Sequence, residues 1–410
     1  MTRSNKETKS RLFALLCLLL AAVLLLPSCT VVSAAELSKD YSRKETEPGE
    51  IAADFPEVYR NFAFTLFDGI GEGEKLISPL SAMLCIGMIE NGMSGETLAD
   101  TGKMFGTDRD TMNRSLYALV NTLSSDKDCR FTSANSLWCR DTHEEPLPAF
   151  LQTNADWYGA EVYRAAFDNS TLKDVNKWAE KKTDGMIKEL PIEFEADDVM
   201  LLMNAVCFDA KWETTYETDQ IRNNMTFTAA DGGTKTVTML SSEERTWMEN
   251  DRFIGFSKNY RGNGWSFAAF LPKEGHSLSD MDAESYAELL AGKTNDAVSV
   301  LMPEFNADYH FNFTDTLKAA GMEKAFSSDA DFSAMYAENN AHLRTVEQNT
   351  FIDVSRNGTK AAAVTWGMMN KEAEIVYEKE IVLDRPFVYA IVDNATGLPV
   401  FLGTVTGENF

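Results

Sequence analysis

The chain contains few cysteines and histidines, and this scarcity limits the chemistry that it can support. Its 410 residues include six Cys and four His. Cys129 and Cys139 bracket a strand-like segment, so their Cα atoms would stand about 30 Å apart, whereas a disulfide needs less than about 7 Å. We therefore expect no structural disulfide. No Cys-x-x-Cys pair or histidine cluster indicates a metal site, and the sequence indicates no other cofactor.

A catalytic pattern is missing as well. The four histidines are scattered along the chain, without a nearby pattern for a nucleophile and its base. A Ser-His-Asp hydrolase needs these groups to converge in space. We interpret the histidines as surface residues and do not expect an enzyme.

Basic residues are also scarce. Lys and Arg number 38 against 63 Asp and Glu, which gives a net charge of −25. We expect no nucleic-acid partner, because phosphate binding needs clustered Lys and Arg. The acidity favours solubility. The content of 44% hydrophobic and 25% charged residues is typical of a globular protein.

The N-terminus carries an apolar run that is too short to span a membrane. Basic residues precede Leu12–Leu26, a run of about fifteen residues that is typical of a signal peptide. The run leads into Leu26-Pro27-Ser28-Cys29, which resembles a bacterial lipobox; ordinary cleavage near Ser33-Ala34-Ala35 is the alternative. We expect residues 1–28 to be a signal peptide and 29–54 a mobile polar tether. The protein would be exported, extracellular or at the cell surface, and held to the membrane only through lipid on Cys29.

From residue 55 onward, helix and strand patterns mix without a linker, which predicts one α+β domain over residues 55–410. Predicted helices cover Phe55 to Phe67, Ser81 to Asn91, Lys173 to Leu190, and Phe311 to Met322, the last stopped at Gly321. Predicted strands include Leu76-Ile77, a run from Val199 to Phe208 covered on both faces, Trp265 to Leu271, and Ala297 to Pro303. A hairpin over Met225 to Met239 turns at Asp231-Gly232-Gly233.

The segment from Gly358 to Thr365 is the most informative stretch. Ordinary loops favour Asn, Asp, Pro and Gly, whereas this one is rich in Ala, Thr and Val and lies between two strand-like segments. It predicts a loop that is able to become a strand. In a strand, alternate residues share a face. One face would hold the small uncharged residues Thr359, Ala361, Ala363, Thr365 and Gly367, and the other Lys360, Ala362, Val364 and Trp366.

Several blocks of the sequence, in one order, resemble the serpin family over about residues 55–410. They are Ser78-Pro79-Leu80-Ser81, Asn176-Lys177-Trp178 with Thr183 to Ile187, Asn204 to Trp212, Asp384-Arg385-Pro386-Phe387, and Gly397 with Phe401 and Gly403. The resemblance implies a serpin fold, a single large domain with a main mixed β-sheet, further sheets, about eight or nine helices and an exposed reactive loop.

The resemblance also implies a mechanism. A target serine protease would cleave the reactive loop, at about residues 356–380, as if it were substrate. The freed loop would then insert as a strand into the main sheet and trap the covalent acyl-enzyme. The native fold would be metastable, held by a kinetic barrier. The implied hinge residues are Gly358, Thr359, Ala361, Ala362, Ala363 and Thr365.

Two further features follow from the resemblance. Ser78, Ser81 and Asn204 are implied members of a hydrogen-bonded cluster beneath the opening sheet, the shutter. The usual shutter His of the family falls on Gln348, whose amide can donate and accept like a neutral imidazole but gives no pH response. Trp212 is implied to lie at the top of the sheet, where the loop first inserts. Ordinary core packing is the alternative for these residues.

The family spacing, counted from Gly358, puts the cleaved bond between Glu372 and Ala373. Because the residue before the bond sets specificity, Glu372 predicts a Glu-preferring protease. The alternative Lys371 would suit a trypsin-like pocket, and Met369 would suit an apolar pocket.

Two functions remain open. The first is a monomeric suicide inhibitor that forms a covalent complex with a serine protease. The second is a non-inhibitory serpin that acts as a surface binding or chaperone-like protein. The small residues of the hinge favour the first, because a bulky or charged residue at Thr359 would obstruct insertion.

Overall fold

The structure is a computed structural model that describes residues 32–44, 49–359, 379–408 and 410. These residues form an α+β fold of eight α-helices and three β-sheets. The helices are α1 (Phe55–Gly69), α2 (Pro79–Glu90), α3 (Gly95–Phe105), α4 (Arg109–Ser124), α5 (Pro148–Tyr158), α6 (Asn169–Lys182), α7 (Ala283–Ala291) and α8 (Thr314–Leu317). The strands are β1 (Ala35–Glu36), β2 (Lys75–Ile77), β3 (Arg130–Arg140), β4 (Glu161–Ala165), β5 (Met200–Lys211), β6 (Ile221–Thr228), β7 (Thr234–Glu244), β8 (Trp247–Glu249), β9 (Phe253–Asn259), β10 (Trp265–Pro272), β11 (Val298–Pro303), β12 (Phe305–Asn312), β13 (Glu347–Ser355), β14 (Gly358–Thr359), β15 (Lys379–Val382), β16 (Phe387–Asp393) and β17 (Pro399–Val405).

The main sheet has seven strands in the order β1-β4-β3-β5-β14-β13-β12. It is mixed, since β3 and β4 are parallel while β3 and β5 are antiparallel. The β3–β5 pairing runs over ten residue pairs, from Arg130↔Asp209 to Cys139↔Met200. We call the end of the sheet at Asp209 its upper end and the end at Met200 its lower end.

The apolar core lies where the main sheet meets a six-stranded sheet of order β2-β17-β16-β10-β9-β8. Phe131 of β3 and Phe208 of β5 pack on Trp265 of β10, with ring centroids 5.5 and 5.0 Å apart. Every residue of β10, β16 and β17 is buried, as expected of apolar strands without alternation. A third sheet has the order β15-β11-β7-β6. No helix in the described ranges is long and apolar enough to cross a bilayer.

Most of the predicted elements are confirmed, with shifted ends. The first two predicted helices correspond to α1 and α2, and the hairpin corresponds to β6 and β7. Helix α6 begins at Asn169, earlier than predicted, because Asp168 caps it by accepting hydrogen bonds from the backbone N–H groups of Ser170 and Thr171. It also ends earlier, at Lys182.

Two predictions are wrong in part. The helix predicted over Phe311 to Met322 is present but begins three residues later, at Thr314, and is irregular, because Phe311 and Asn312 belong to β12, which pairs with β13 over eight residues. Only Thr314–Leu317 is α-helical, and Gly321 has a φ of 126°, outside the helical region. Strand β5 exists as predicted, but Met200, at its lower end, and the next four residues are only half-buried, so it is not covered fully on both faces.

The segment predicted as a mobile tether lies instead against the folded body over residues 32–44. Ala35 pairs with Arg164 of β4, which makes β1 the edge strand of the main sheet. The Ser33 hydroxyl and the Ala34 backbone N–H both donate to Asp174 Oδ2, at 2.6 and 2.8 Å. Polar composition gave no sign of this pairing, because an edge strand is held by main-chain hydrogen bonds that any side chain permits.

A buried polar cluster lies at the C-terminal end of α2. Asn91 and Asn113 exchange side-chain hydrogen bonds, and the Tyr158 hydroxyl donates to Asn113 Oδ1 at 2.7 Å. Glu90, next in the chain, is 1% exposed, and its Oε2 has no hydrogen-bond partner. Burial raises the pKa of the Glu90 carboxyl to about 7, against the lowering effect of Arg109.

This carboxyl predicts a pH dependence of stability. The pKa of Glu90 is higher in the folded protein than in the unfolded chain. Its stabilising contribution to the free energy of unfolding is therefore full in acid and is lost as pH rises through about 7. We expect Glu90→Gln to raise the midpoint of thermal unfolding at about pH 8 relative to the wild type, with a smaller difference at about pH 5. The matched control is Glu72→Gln, at an exposed glutamate. The same pH response in the wild type and in Glu90→Gln would contradict the assignment.

Candidate functional site

The centre of the main sheet holds a strand of only two residues at its upper end. Gly358 pairs with Lys211 of β5 and with Ser355 of β13, and Thr359 pairs with Ala210 and Val354 in the same way. In the part of the chain that the structure describes, β5 and β13 are joined through β14 and not directly. The strands that flank β14 are therefore the ones that a longer central strand would pair with.

Gly358 is required by its backbone conformation and by its neighbours. Its φ is 145°, in a region that residues with a side chain rarely adopt. A Cβ atom there would lie 2.1 Å from the carbonyl oxygen of Ala210 and 2.7 Å from the Cα atom of Lys211. Both contacts are with backbone, which cannot move aside without breaking the sheet.

Thr359 points into the core, which agrees with the inward face that the sequence assigns to it. It is 2% exposed, and its hydroxyl lies 2.5 Å from the Tyr260 hydroxyl. Burial raises the pKa of Tyr260, so the phenol stays neutral and can donate. The Tyr260 ring stacks on Trp212, with centroids 4.5 Å apart and planes at 14°.

Trp212 lies at the upper end, beside the hinge. It is fully buried, and its Nε1 donates to the carbonyl oxygen of Ser355 at 2.8 Å. Its backbone N–H donates to the carbonyl oxygen of Asn357 at 3.2 Å. Trp212 therefore holds the turn from which Gly358 emerges.

Two ion pairs at this end were missed by the sequence analysis. Arg356, in the turn before Gly358, contacts Glu304 through Nε at 2.9 Å and Nη2 at 2.6 Å. Lys258 is 4% exposed, and its Nζ lies 2.8 Å from Glu244 Oε1 and 4.6 Å from the centre of the Tyr216 ring. A buried ammonium needs such partners to offset its lost hydration. The pairs join residues far apart in sequence, so no local pattern could have indicated them.

The predicted shutter residues form two groups. Ser78 and Gln348 exchange hydrogen bonds: the Ser78 backbone N–H donates to Gln348 Oε1 at 2.8 Å, and Gln348 Nε2 donates to the Ser78 carbonyl oxygen at 2.9 Å. The Ser81 backbone N–H donates to the Ser78 hydroxyl at 3.3 Å, which caps α2. Gln348 thus uses both ends of its amide to tie β13 to α2.

Asn204 belongs to the second group. Its Nδ2 donates to Asn135 Oδ1 at 2.8 Å and to the Ser133 hydroxyl at 3.1 Å, both on β3, while its Oδ1 has no partner. The hydroxyl of Thr350 is also without a partner. Both residues line a cavity of about 20 Å³ together with Ser78 and Ser81. That cavity has room for one water molecule, and its polar lining suits one.

The remaining predicted site residues lie outside the described residues. They are the hinge residues Ala361, Ala362, Ala363 and Thr365, the bond residues Lys371, Glu372 and Ala373, and the predicted lipid attachment residue Cys29.

Comparison with known proteins matches this arrangement to one family. The family model of the serpins (serine protease inhibitors) matches residues 57–407. Leukocyte elastase inhibitor A from Mus musculus is 27% identical over 84% of this chain and 97% of its own. The native state of the thermophilic serpin tengpin superposes with a TM-score of 0.86 at 36% identity, over 92% of this chain and 100% of that one.

The fold is also shared with a protein of another activity. Human thyroxine-binding globulin, solved with its hormone, has a TM-score of 0.78 at 22% identity, over 87% of this chain and 99% of that one. At that identity the likeness shows the fold alone. Serpins are generally protease inhibitors, and some are not inhibitory. With a family match over most of its length, this chain belongs to the serpin family.

Proposed function

We propose that the protein is a suicide-substrate inhibitor of a serine protease, exported and anchored through Cys29, that acts as a monomer without a cofactor. The observation that carries the proposal is β14. Its two residues already pair with both neighbouring strands, and Thr359 is buried. The later residues that would share its face, Ala361, Ala363 and Thr365, are small and uncharged.

The register of β14 defines how further insertion would proceed. If β14 were extended by one residue in the cleaved chain, Lys360 would lie opposite Asp209 of β5 and Asp353 of β13. Burial and the nearby Glu304 raise the pKa of Asp353, so that carboxylate gains from a cation beside it. Thr365 would then stand opposite Asn204 and Gln348, in the cluster beneath the sheet.

The bond that the target cleaves is proposed to be Glu372–Ala373, with Lys371 as the alternative. A protease that attacks it forms an acyl-enzyme at the carbonyl carbon of the cleaved residue. The complex survives only if the loop inserts faster than that ester is hydrolysed.

A panel of Glu-, Lys- and Met-directed serine proteases tests the inhibitory activity. We expect one of them to give a band on a denaturing gel at about the summed mass of the two proteins, because the acyl bond survives denaturation. Mass spectrometry of the released C-terminal fragment would identify the bond. Complete cleavage of the loop by every protease, with no such band, would refute inhibition and favour a non-inhibitory binding protein.

Thr359→Arg tests the inward face. We expect the ratio of covalent complex to cleaved protein to fall by at least about tenfold, because insertion would bury an unpaired charge. The matched control is Lys360→Arg, which keeps a cation on the outward face and should inhibit like the wild type. If Thr359→Arg inhibits as well as the control, the phasing is wrong.

Lys360→Glu tests the register. In the cleaved protein this substitution would place like charges side by side on three adjacent strands, and each pair would lower the stability by about 0.2–1 kcal/mol. We expect a lower midpoint of thermal unfolding at low ionic strength for cleaved Lys360→Glu, and partial recovery when Asp353→Lys is added. The uncleaved proteins serve as controls. Without that recovery, the predicted neighbours of Lys360 are wrong.

A further inference from the structure

Helix α6 differs in charge from the rest of the protein. It carries Lys173, Lys177, Lys181 and Lys182 against Asp174 and Glu180, while the whole chain has a net charge of −25. In the described part of the chain no other α-helix holds as large an excess of basic residues. A local cationic surface on so acidic a protein needs an explanation of its own.

Three of these lysines lie on one face of the helix. Lys173, Lys177 and Lys181 are four residues apart, which places them in a row. The row is opposite the buried residues Val175 and Trp178, which pack against the main sheet. Lys177 is half-buried and lies 3.4 Å from Asp174. Lys173 and Lys181 are exposed and have no ion pair within the described ranges.

The N-terminal segment docks on this same helix. Asp174, which accepts the hydrogen bonds from Ser33 and Ala34, is adjacent to Lys173. Val32 packs with the cluster around Trp178. The chain is therefore fixed to the body from Val32 onward.

Chain length then limits where a lipid on Cys29 could be. Three residue steps separate Cys29 from Val32, which is at most about 11 Å even when fully extended. Acyl chains on Cys29 would bring the membrane surface to the corner of the protein formed by β1 and α6. The long tether that would hold the body away from the membrane does not exist, because residues 32–44 are docked.

We propose that the face of the protein that carries β1 and α6 is a membrane-contacting surface, in which Lys173, Lys177 and Lys181 bind the phosphate groups of anionic lipids. The inference rests on the proposed lipid anchor. The acyl chains supply retention, so the lysines need only orient the body. A lysine near an anionic bilayer contributes about 1 kcal/mol, which is enough for three of them to favour one orientation.

The orientation has a defined sense. Ala35 pairs with Arg164, Arg164 with Cys139, and Cys139 with Met200, so the docked segment lies at the lower end of the main sheet. The hinge pairs with Lys211, eleven residues along β5, or roughly 35 Å away. Helix α6 runs from the lower end towards the upper end, where Asp184 contacts Arg130, so its lysine row lies along the sheet and the reactive loop would start at the far end of that face.

Amine labelling of the full-length protein, purified from the membrane fraction of its expression host, tests the surface. The protein is placed in vesicles of phosphatidylcholine alone or with phosphatidylglycerol, and in detergent. We expect labelling of Lys173 and Lys181 to fall about fivefold in the anionic vesicles relative to detergent, and less in phosphatidylcholine. Lys127, exposed near the upper end, is the internal control and should label equally throughout.

Variants separate lipid contact from mere proximity. We expect the half-buried Lys177 of the wild type to be protected in anionic vesicles as well, and Lys173→Glu with Lys181→Glu should abolish that protection. The charge-matched control Lys127→Glu with Arg261→Glu should keep it. Mass spectrometry shows whether Cys29 is acylated. If it is acylated and Lys173 and Lys181 label equally in both kinds of vesicle and in detergent, the proposed membrane-contacting surface is wrong while the lipid anchor is correct. An unacylated Cys29 would overturn both, while the protease assay would still decide inhibition.

Discussion

The pairing of Gly358 and Thr359 between β5 and β13 is the constraint on which the rest of the sheet depends. It places the start of a strand between two long strands, in register with both. Gly358 has a backbone conformation that a residue with a Cβ atom could not adopt beside Ala210. Thr359 adds a buried hydroxyl contact with Tyr260. A short insertion therefore exists in the uncleaved chain, with its register already chosen.

The surroundings of β14 combine firm and loose contacts. At the upper end, the turn before Gly358 and the residues beneath it are held by the stacking of Trp212 on Tyr260 and by two ion pairs. Lower down, the cavity beside Asn204 leaves two polar atoms without partners. That cavity has room for one water molecule. In the proposed mechanism an inserted strand would bring Thr365 opposite Asn204, where its hydroxyl could take the place of that water.

The sequence was sufficient for the family, which implied the mixed main sheet, and for the inward face at Thr359, because these depend on residue types that few environments accept. Gly358 and the small alternating residues after it are examples. The sequence was insufficient wherever the partners are remote. The Arg356–Glu304 pair joins the turn after β13 to the residue between β11 and β12, and the Lys258–Glu244 pair joins β9 to β7. The alternation within Phe305–Asn312 was obscured by the apolar residues that follow it, and the docking of residues 32–44 depends on backbone hydrogen bonds that leave no mark in composition.

The docked N-terminal segment and the far end of β14's path share one end of the sheet. A chain extended from Thr359 along β5 finishes near Met200, at the level of Ala35. In the proposed mechanism, a protease carried by that chain would start at the upper end and finish beside the docked N-terminal segment. The proposed lipid anchor and the captured enzyme would then share one end of the inhibitor.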